Sequence, residues 1–92
     1  MDEKRRPFEL GRLLSTPGAL EELDPQDVMQ ALARHAQGDW GDCCPGDWAE
    51  NDFALGKYLR LFSVYRDRRG TKFWIITEAD RSATTILLPD EY

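Results

Sequence analysis

The sequence predicts an α+β domain in which two to three short helices are followed by a three-stranded antiparallel meander. Three observations lead there. Helical apolar spacing, opened by Thr-Pro and Asp-Pro steps, is confined to residues before about 56. Runs rich in β-branched and aromatic residues begin near residue 60 and recur to the end of the chain. The intervals between those runs are short and made of turn formers, which join antiparallel neighbours.

Taken in order, "MDEKRRP" reads as a flexible arm over residues 1–7, and residues 8–92 as a single domain. "FELGRLL" (8–14) reads as an extended lead-in or an extra edge strand. Thr16-Pro17 supplies a capping hydroxyl and a proline suited to the first helical position, and "PGALEEL" continues for about two turns. Asp24-Pro25 repeats the device. Val28, Leu32 and His35 then fall at i, i+4 and i+7 of a helix over 25–37, with Gly38 as its left-handed stop. His35, on the apolar side of that helix, is expected to be a partly buried core residue.

Gly-Asp-Trp occurs twice, at 38–40 and 46–48, around the adjacent Cys43 and Cys44. The first copy stands at a helix exit. The second reads as an entry, because Asp47-Trp48-Ala49-Glu50 fits a capping box with Asp in place of Ser or Thr. The helix would run to about Gly56. "RLFSVYR" (60–66), "KFWIITE" (72–78) and "ATTILL" (83–88) are the three strands, with 72–78 central. Phe73, Ile75 and Thr77 would share one face, and Trp74, Ile76 and Glu78 the other. The helices would cover one face; the N-terminal segment or a partner would cover the second.

Ninety-two residues allow one domain with a modest core. No apolar run approaches the roughly 18 residues of a spanning helix, and the charged start carries no signal-peptide pattern, so a cytoplasmic, membrane-free protein is expected. Neighbouring cysteines close no useful loop, which fits a reducing compartment. The net charge of −5 is unevenly placed: residues 16–56 carry one base, Arg34, against nine acids. Such a segment repels phosphate and attracts basic surfaces, and no direct binding of nucleic acid is expected.

His35, Asp42, Cys43, Cys44 and Asp47 are metal-ligand residue types, but adjacent cysteines chelate one ion poorly and no second Cys/His cluster exists; no metal and no cofactor is expected. The glycines 38, 41 and 46 sit among aspartates, which excludes a phosphate loop. Two constellations remain. Trp40, Asp42, Trp48, Asn51 and Asp52 form an acidic-aromatic stretch suited to anchoring a partner with a basic surface. Glu78, Asp80, Arg81 and Ser82 form a polar turn that serves either as a second contact or as acid/base machinery.

The segments "STPGALEEL", "ARHAQGDWGD", "NDFAL" and above all "WIITEADRSATTILLPDEY" resemble a family of small uncharacterised proteins borne on proteobacterial plasmids and prophages. The resemblance covers nearly the whole chain after about residue 8 and implies a setting in mobile-element biology, not a chemistry. Cys43 and Cys44 lie outside its motifs. The expected function is a non-enzymatic interaction or regulatory module, as monomer or homodimer. A nucleic-acid-mimicking inhibitor of a CRISPR or restriction complex is a special form of it. A small RNA-acting enzyme of toxin type, using Glu78, Asp80 and Arg81, is the alternative from another class.

Overall fold

The structure is a computed structural model and describes residues 8–92; the expected arm, residues 1–7, lies outside the described residues. The elements are β1 (Arg12–Ser15), α1 (Pro17–Glu22), α2 (Pro25–Ala36), α3 (Pro45–Leu55), β2 (Leu61–Arg66), β3 (Lys72–Thr77), β4 (Ala83–Leu87) and a terminal 3₁₀ turn (Pro89–Glu91). The α+β class and the order of helices before the main sheet hold. The meander needs correction: the sheet is four-stranded and mixed, in the order β1-β4-β3-β2.

β2, β3 and β4 do form the antiparallel hairpins, with Val64 opposite Trp74 and Ile76 opposite Thr85. The extra edge strand lies at 12–15, four residues later than the start of the expected stretch, and runs parallel to β4 with Leu14 opposite Thr85. The physical reason is that Phe8 and Leu10 are apolar enough to be drawn into the core, which leaves only the residues after Gly11 for pairing. A parallel partner so far away in sequence leaves no local turn signal.

The two proline-led helices begin as the caps dictate. Thr16 Oγ1 accepts from the Ala19 amide, and Asp24 Oδ1 accepts from the amides of Gln26 and Asp27. α2 closes at Gln37, and Gly38 takes φ +83° to turn the chain. α3 starts three residues earlier than the capping-box reading, with Cys44 and not Asp47 at the cap. Pro45, with its preset φ, occupies the first turn after Cys44, so Asp47 lies inside the helix, where a carboxylate favours the dipole.

Gly41 is required by contact. Its φ is +70°, and a Cβ there would collide with the Val64 carbonyl oxygen. That approach lets the Asp42 amide donate to Val64 O and the Val64 amide donate to Trp40 O, covering part of the β2 edge. The first Gly-Asp-Trp is therefore fastened to the sheet.

Phe73, Ile75 and Thr77 face the helices as expected, and all three are fully buried. Phe8 lies on this same side, stacked near Trp40 and edge-on to His35. Among the described residues, Phe8 and Leu10 of the N-terminal segment thus complete the main core, on the side opposite the second face. That face holds Phe62 and Trp74 edge-to-face at 5.0 Å, with Tyr92 of the C-terminus against Trp74 at 5.7 Å. Arg60 Nη1 donates to the Tyr92 hydroxyl, while the Glu91 carboxylate accepts from Thr16 Oγ1 and from the amides of Gly18 and Leu88. The chain's own end dresses the second face.

A row of polar groups runs through the core. His35 Nδ1 lies 2.5 Å from Ser63 Oγ, His35 Nε2 2.8 Å from Thr77 Oγ1, and Thr77 Oγ1 2.8 Å from Thr84 Oγ1. Thr84 Oγ1 ends the row on the Leu10 carbonyl at 2.7 Å. A carbonyl only accepts, so Thr84 donates to Leu10 and must accept from Thr77. Thr77 has then used its one proton and must accept from His35 Nε2–H. Nδ1 is left as acceptor for Ser63. The row fixes the neutral Nε2–H tautomer, and His35 is fully buried rather than partly so. Burial first, and the positive charge of Arg81 second, pull its pKa from 6.5 down to about 3.

This histidine makes stability pH-dependent with a defined sign. Below pH 6.5 the unfolded chain takes a proton that the folded chain refuses, so stability is complete above that pH and is lost as pH falls towards 3. Between about pH 6.5 and 5, before most carboxylates titrate, stability measured by urea unfolding should fall with a slope approaching 1.4 kcal/mol per pH unit. His35→Gln should lower stability and flatten that slope. An unchanged slope in the variant would assign the effect to another group.

Candidate functional site

The nine residues singled out in the sequence are distributed by the fold into three groups. Trp40, Asn51 and Arg81 are buried, with exposures of 0%, 4% and 8%, and are closed to a partner. Trp48 is half-buried against the core. Asp42, Asp52, Glu78, Asp80 and Ser82 retain access to solvent, but they do not form one cluster.

Each buried residue has a structural occupation. Trp40 Nε1 donates to Asp52 Oδ1 at 2.9 Å, which ties the α2–α3 loop to α3. Asn51 projects from α3 to the β2 edge, where its amide donates to Phe62 O and its Oδ1 accepts from Phe62 N–H, at 2.6 and 3.0 Å. Those two bonds imitate a neighbouring strand.

Arg81 adopts φ +63° and turns inward. Its guanidinium donates to the carbonyls of Leu59, Glu78, Ala79 and Ala54, the last from the C-terminal turn of α3. The rings of Phe8 and Tyr58 stand 5.7 and 5.2 Å from it. The helix C-terminus and four carbonyl dipoles stabilise the cation in place of a carboxylate. Burial lowers its pKa from the usual arginine value.

The polar turn 78–82, read as a second contact or as acid/base machinery, is divided in the same way. Glu78 pairs with Arg60 at 3.3 Å, and Asp80 accepts from the Ser82 amide as a turn former. Hydrogen bonding to Ser82 holds the Asp80 carboxyl below its ordinary range. The Ser63–His35 contact has the atoms of a nucleophile and base, but both are sealed in the core, where no substrate reaches them. Among the described residues, no three His, Cys, Asp or Glu side chains gather to hold a metal ion. Cys43 donates to Phe62 O, and burial pushes its thiol up to about 11, far from a reactive thiolate.

The acidic segment is paired in part. Arg68 meets Asp27 at 3.1 Å and Asp24 at 3.4 Å, Arg34 grips Asp39 with two nitrogens, and Arg66 reaches Asp42 at 3.7 Å. The basic turn 67–70 is consumed with it: Asp67 accepts from the amides of Arg69 and Thr71, and Arg69 donates to Glu22 O. Four of the nine acids, Asp24, Asp27, Asp39 and Asp42, are therefore paired with arginine, which divides the acidic segment into separate parts.

Of the other five, Glu21 and Glu22 lie on α1 and three lie together on α3. Asp47, Glu50 and Asp52 on α3 make no ion pair among the described residues. Asp47 and Glu50 line an open cleft of about 550 Å³ between α3 and β2, whose apolar walls are Phe53, Leu59 and Phe62 and whose lining also includes Arg60. Phe53 is 62% exposed and Leu59 48%, and Tyr58 lies beside them at 66%. Sequence reasoning does not place these three residues among the candidate contacts. The signal is present in α3: Trp48, Asn51 and Leu55 at i, i+3 and i+7 fill its buried side, which leaves Phe53 off that side.

The contrast between Arg81 and its neighbours is measurable. Arg81→Met should cost about 2–3 kcal/mol in urea unfolding, because it leaves buried carbonyls without donors. Glu78→Gln and Asp80→Asn, whose carboxylates keep access to water, should each leave stability nearly unchanged. Equal effects at all three would contradict a structural Arg81. Comparison with known proteins found no match among family models, curated proteins or solved structures.

Proposed function

We propose that this protein is a non-enzymatic interaction module, working in the cytoplasm, that receives a basic segment of a partner protein in the cleft between α3 and β2. One observation carries this reading. Asp47 and Glu50 stand free of ion pairs among the described residues beside exposed Phe53 and Leu59, while arginines occupy most other acids of the segment. An exposed aromatic beside uncompensated carboxylates suits a segment with one apolar anchor flanked by Lys or Arg.

Pairing of Asp24, Asp27, Asp39 and Asp42 with arginines favours a protein ligand at one cleft over a broad phosphate-like face. The internal positions of Arg81 and His35 favour binding over catalysis. The resemblance to plasmid- and prophage-borne proteins gives the setting, in which the partner belongs to the host or to the mobile element.

A displayed peptide library panned against the protein tests the proposal. Enriched peptides should combine a Leu, Phe or Trp with Lys or Arg. Their affinity should fall about tenfold or more with Phe53→Ala, equivalent to about 1.4 kcal/mol, and also with Glu50→Lys and with added salt. An acidic consensus, no enrichment, or binding indifferent to Phe53→Ala would overturn it.

A further inference from the structure

The hydrogen-bonding phase of β1 is fixed by its bonds to β4. The amides of Arg12 and Thr16 donate to Ser82 O and Ile86 O. In a parallel ladder, alternate residues face the same neighbour, so Arg12, Leu14 and Thr16 turn their backbone groups to β4. Leu13 and Ser15 turn theirs outward, where no strand or loop among the described residues meets them. All four residues of β1 are exposed, Leu13 at 54% and Leu14 at 40%. An apolar edge with outward amides and carbonyls is a template for another strand.

We propose that a second copy of this chain occupies that edge, through antiparallel pairing of β1 with β1 about a two-fold axis at Leu14, which joins the two sheets into one of eight strands. The phase requires outward residues to face outward residues, and of the registers that satisfy it the one centred on Leu14 pairs both outward residues of β1 in each copy. It places Leu13 opposite the second copy's Ser15, both with outward groups, so that the two symmetric pairs form four backbone hydrogen bonds. Leu14 meets its own copy at the axis as a non-hydrogen-bonded pair, whose Cα atoms approach to about 4.5 Å.

Charge supports this occupant. Arg12 and Thr16 project on the same face as Leu14, by the alternation of the strand. The register sets Arg12 opposite the second copy's Thr16, whose hydroxyl already holds the Glu91 carboxylate. Arg12 makes no ion pair among the described residues, and the two-fold brings that carboxylate to it twice. On the opposite face, Leu13 and Met29, the latter 64% exposed, border an apolar groove of about 210 Å³ beside the seam, with Leu10 and Leu32 in its wall. The α3–β2 cleft lies at the other edge of the sheet and stays open in such a dimer.

Sedimentation velocity of the purified chain over a range of concentrations tests the proposal, and the outcome is independent of any partner peptide. The expected mass at high concentration is twice the 10.6 kDa of one chain. Leu14→Lys, which sets two like charges together on the axis, should weaken self-association at least tenfold. Lys57→Glu, exposed in the turn between α3 and β2 at the other edge of the sheet, should leave it unchanged. Circular dichroism identifies any variant that fails to fold. In a background of Cys43→Ser and Cys44→Ser, Leu14→Cys should cross-link to its copy under mild oxidation and Leu13→Cys should not. A monomer at every concentration, or a dimer indifferent to Leu14→Lys in a folded variant, would overturn the proposal; so would preferential cross-linking through Leu13→Cys.

Discussion

The neutral His35 ring is the constraint on which the rest of the core depends. It stands where α2 crosses β2 and β3, and its two nitrogens accept from Ser63 and donate to Thr77. Thr84 and the Leu10 carbonyl extend the row to β4 and to the N-terminal segment. A buried polar group without a partner costs about 1–3 kcal/mol, so five groups that satisfy one another in a single order admit little sliding of one element past the next. Apolar packing alone would tolerate a shifted register; this row does not. Phe8 and Trp40 close over the ring from the outside and keep water from competing for its bonds.

Arginine has the complementary task at the surface. Arg68 and Arg69 fasten the β2–β3 turn to the junction of α1 and α2, and Arg34 fastens the end of α2 to Asp39. Arg81 goes further and replaces a missing strand of backbone donors at the C-terminal turn of α3. Exposed pairs of this kind contribute little stability each. Their larger effect is on the electrostatic field: the strong acidic excess of residues 16–56 is reduced to the carboxylates that arginines do not reach. Asp47, Glu50 and Asp52 are three of these, and they share one helix beside the α3–β2 cleft.

Local signals in the sequence are reliable where the cause is local. Thr16, Asp24 and Gly38 set their helix ends by contacts within a few residues, and the alternation of Phe73, Ile75 and Thr77 sets the buried face of β3. Errors arise where a residue answers to something distant. Asn51 and Arg81 read as contact residues because polar side chains in loops and helix ends commonly face solvent, yet each meets backbone groups in another element. Trp40 reads as a surface anchor from its acidic neighbours. Its ring is enclosed by Phe8 and His35, and only its Nε1 reaches outward, to Asp52. The parallel β1–β4 pair joins residues about seventy positions apart and has no turn to announce it.

The two Gly-Asp-Trp copies show how the same three residues acquire unlike roles from their flanking sequence. After the first comes Gly41, which alone permits the close approach to Val64; the loop is thereby pulled onto β2, and Trp40 is carried inward. After the second the helix simply continues, because Pro45 has already opened α3, and Trp48 is left half-buried at its side. The inward tryptophan then constrains the outward residues. Its bond to Asp52 fixes the angular position of α3, and the Asn51 clasp fixes the distance of α3 from β2. With both set, Phe53 cannot turn into the core without breaking one of them, so its exposure is a result of the packing around it. The cleft that Phe53 borders is thus a rigid consequence of the loop's attachment to the sheet, and a ligand would meet it preformed.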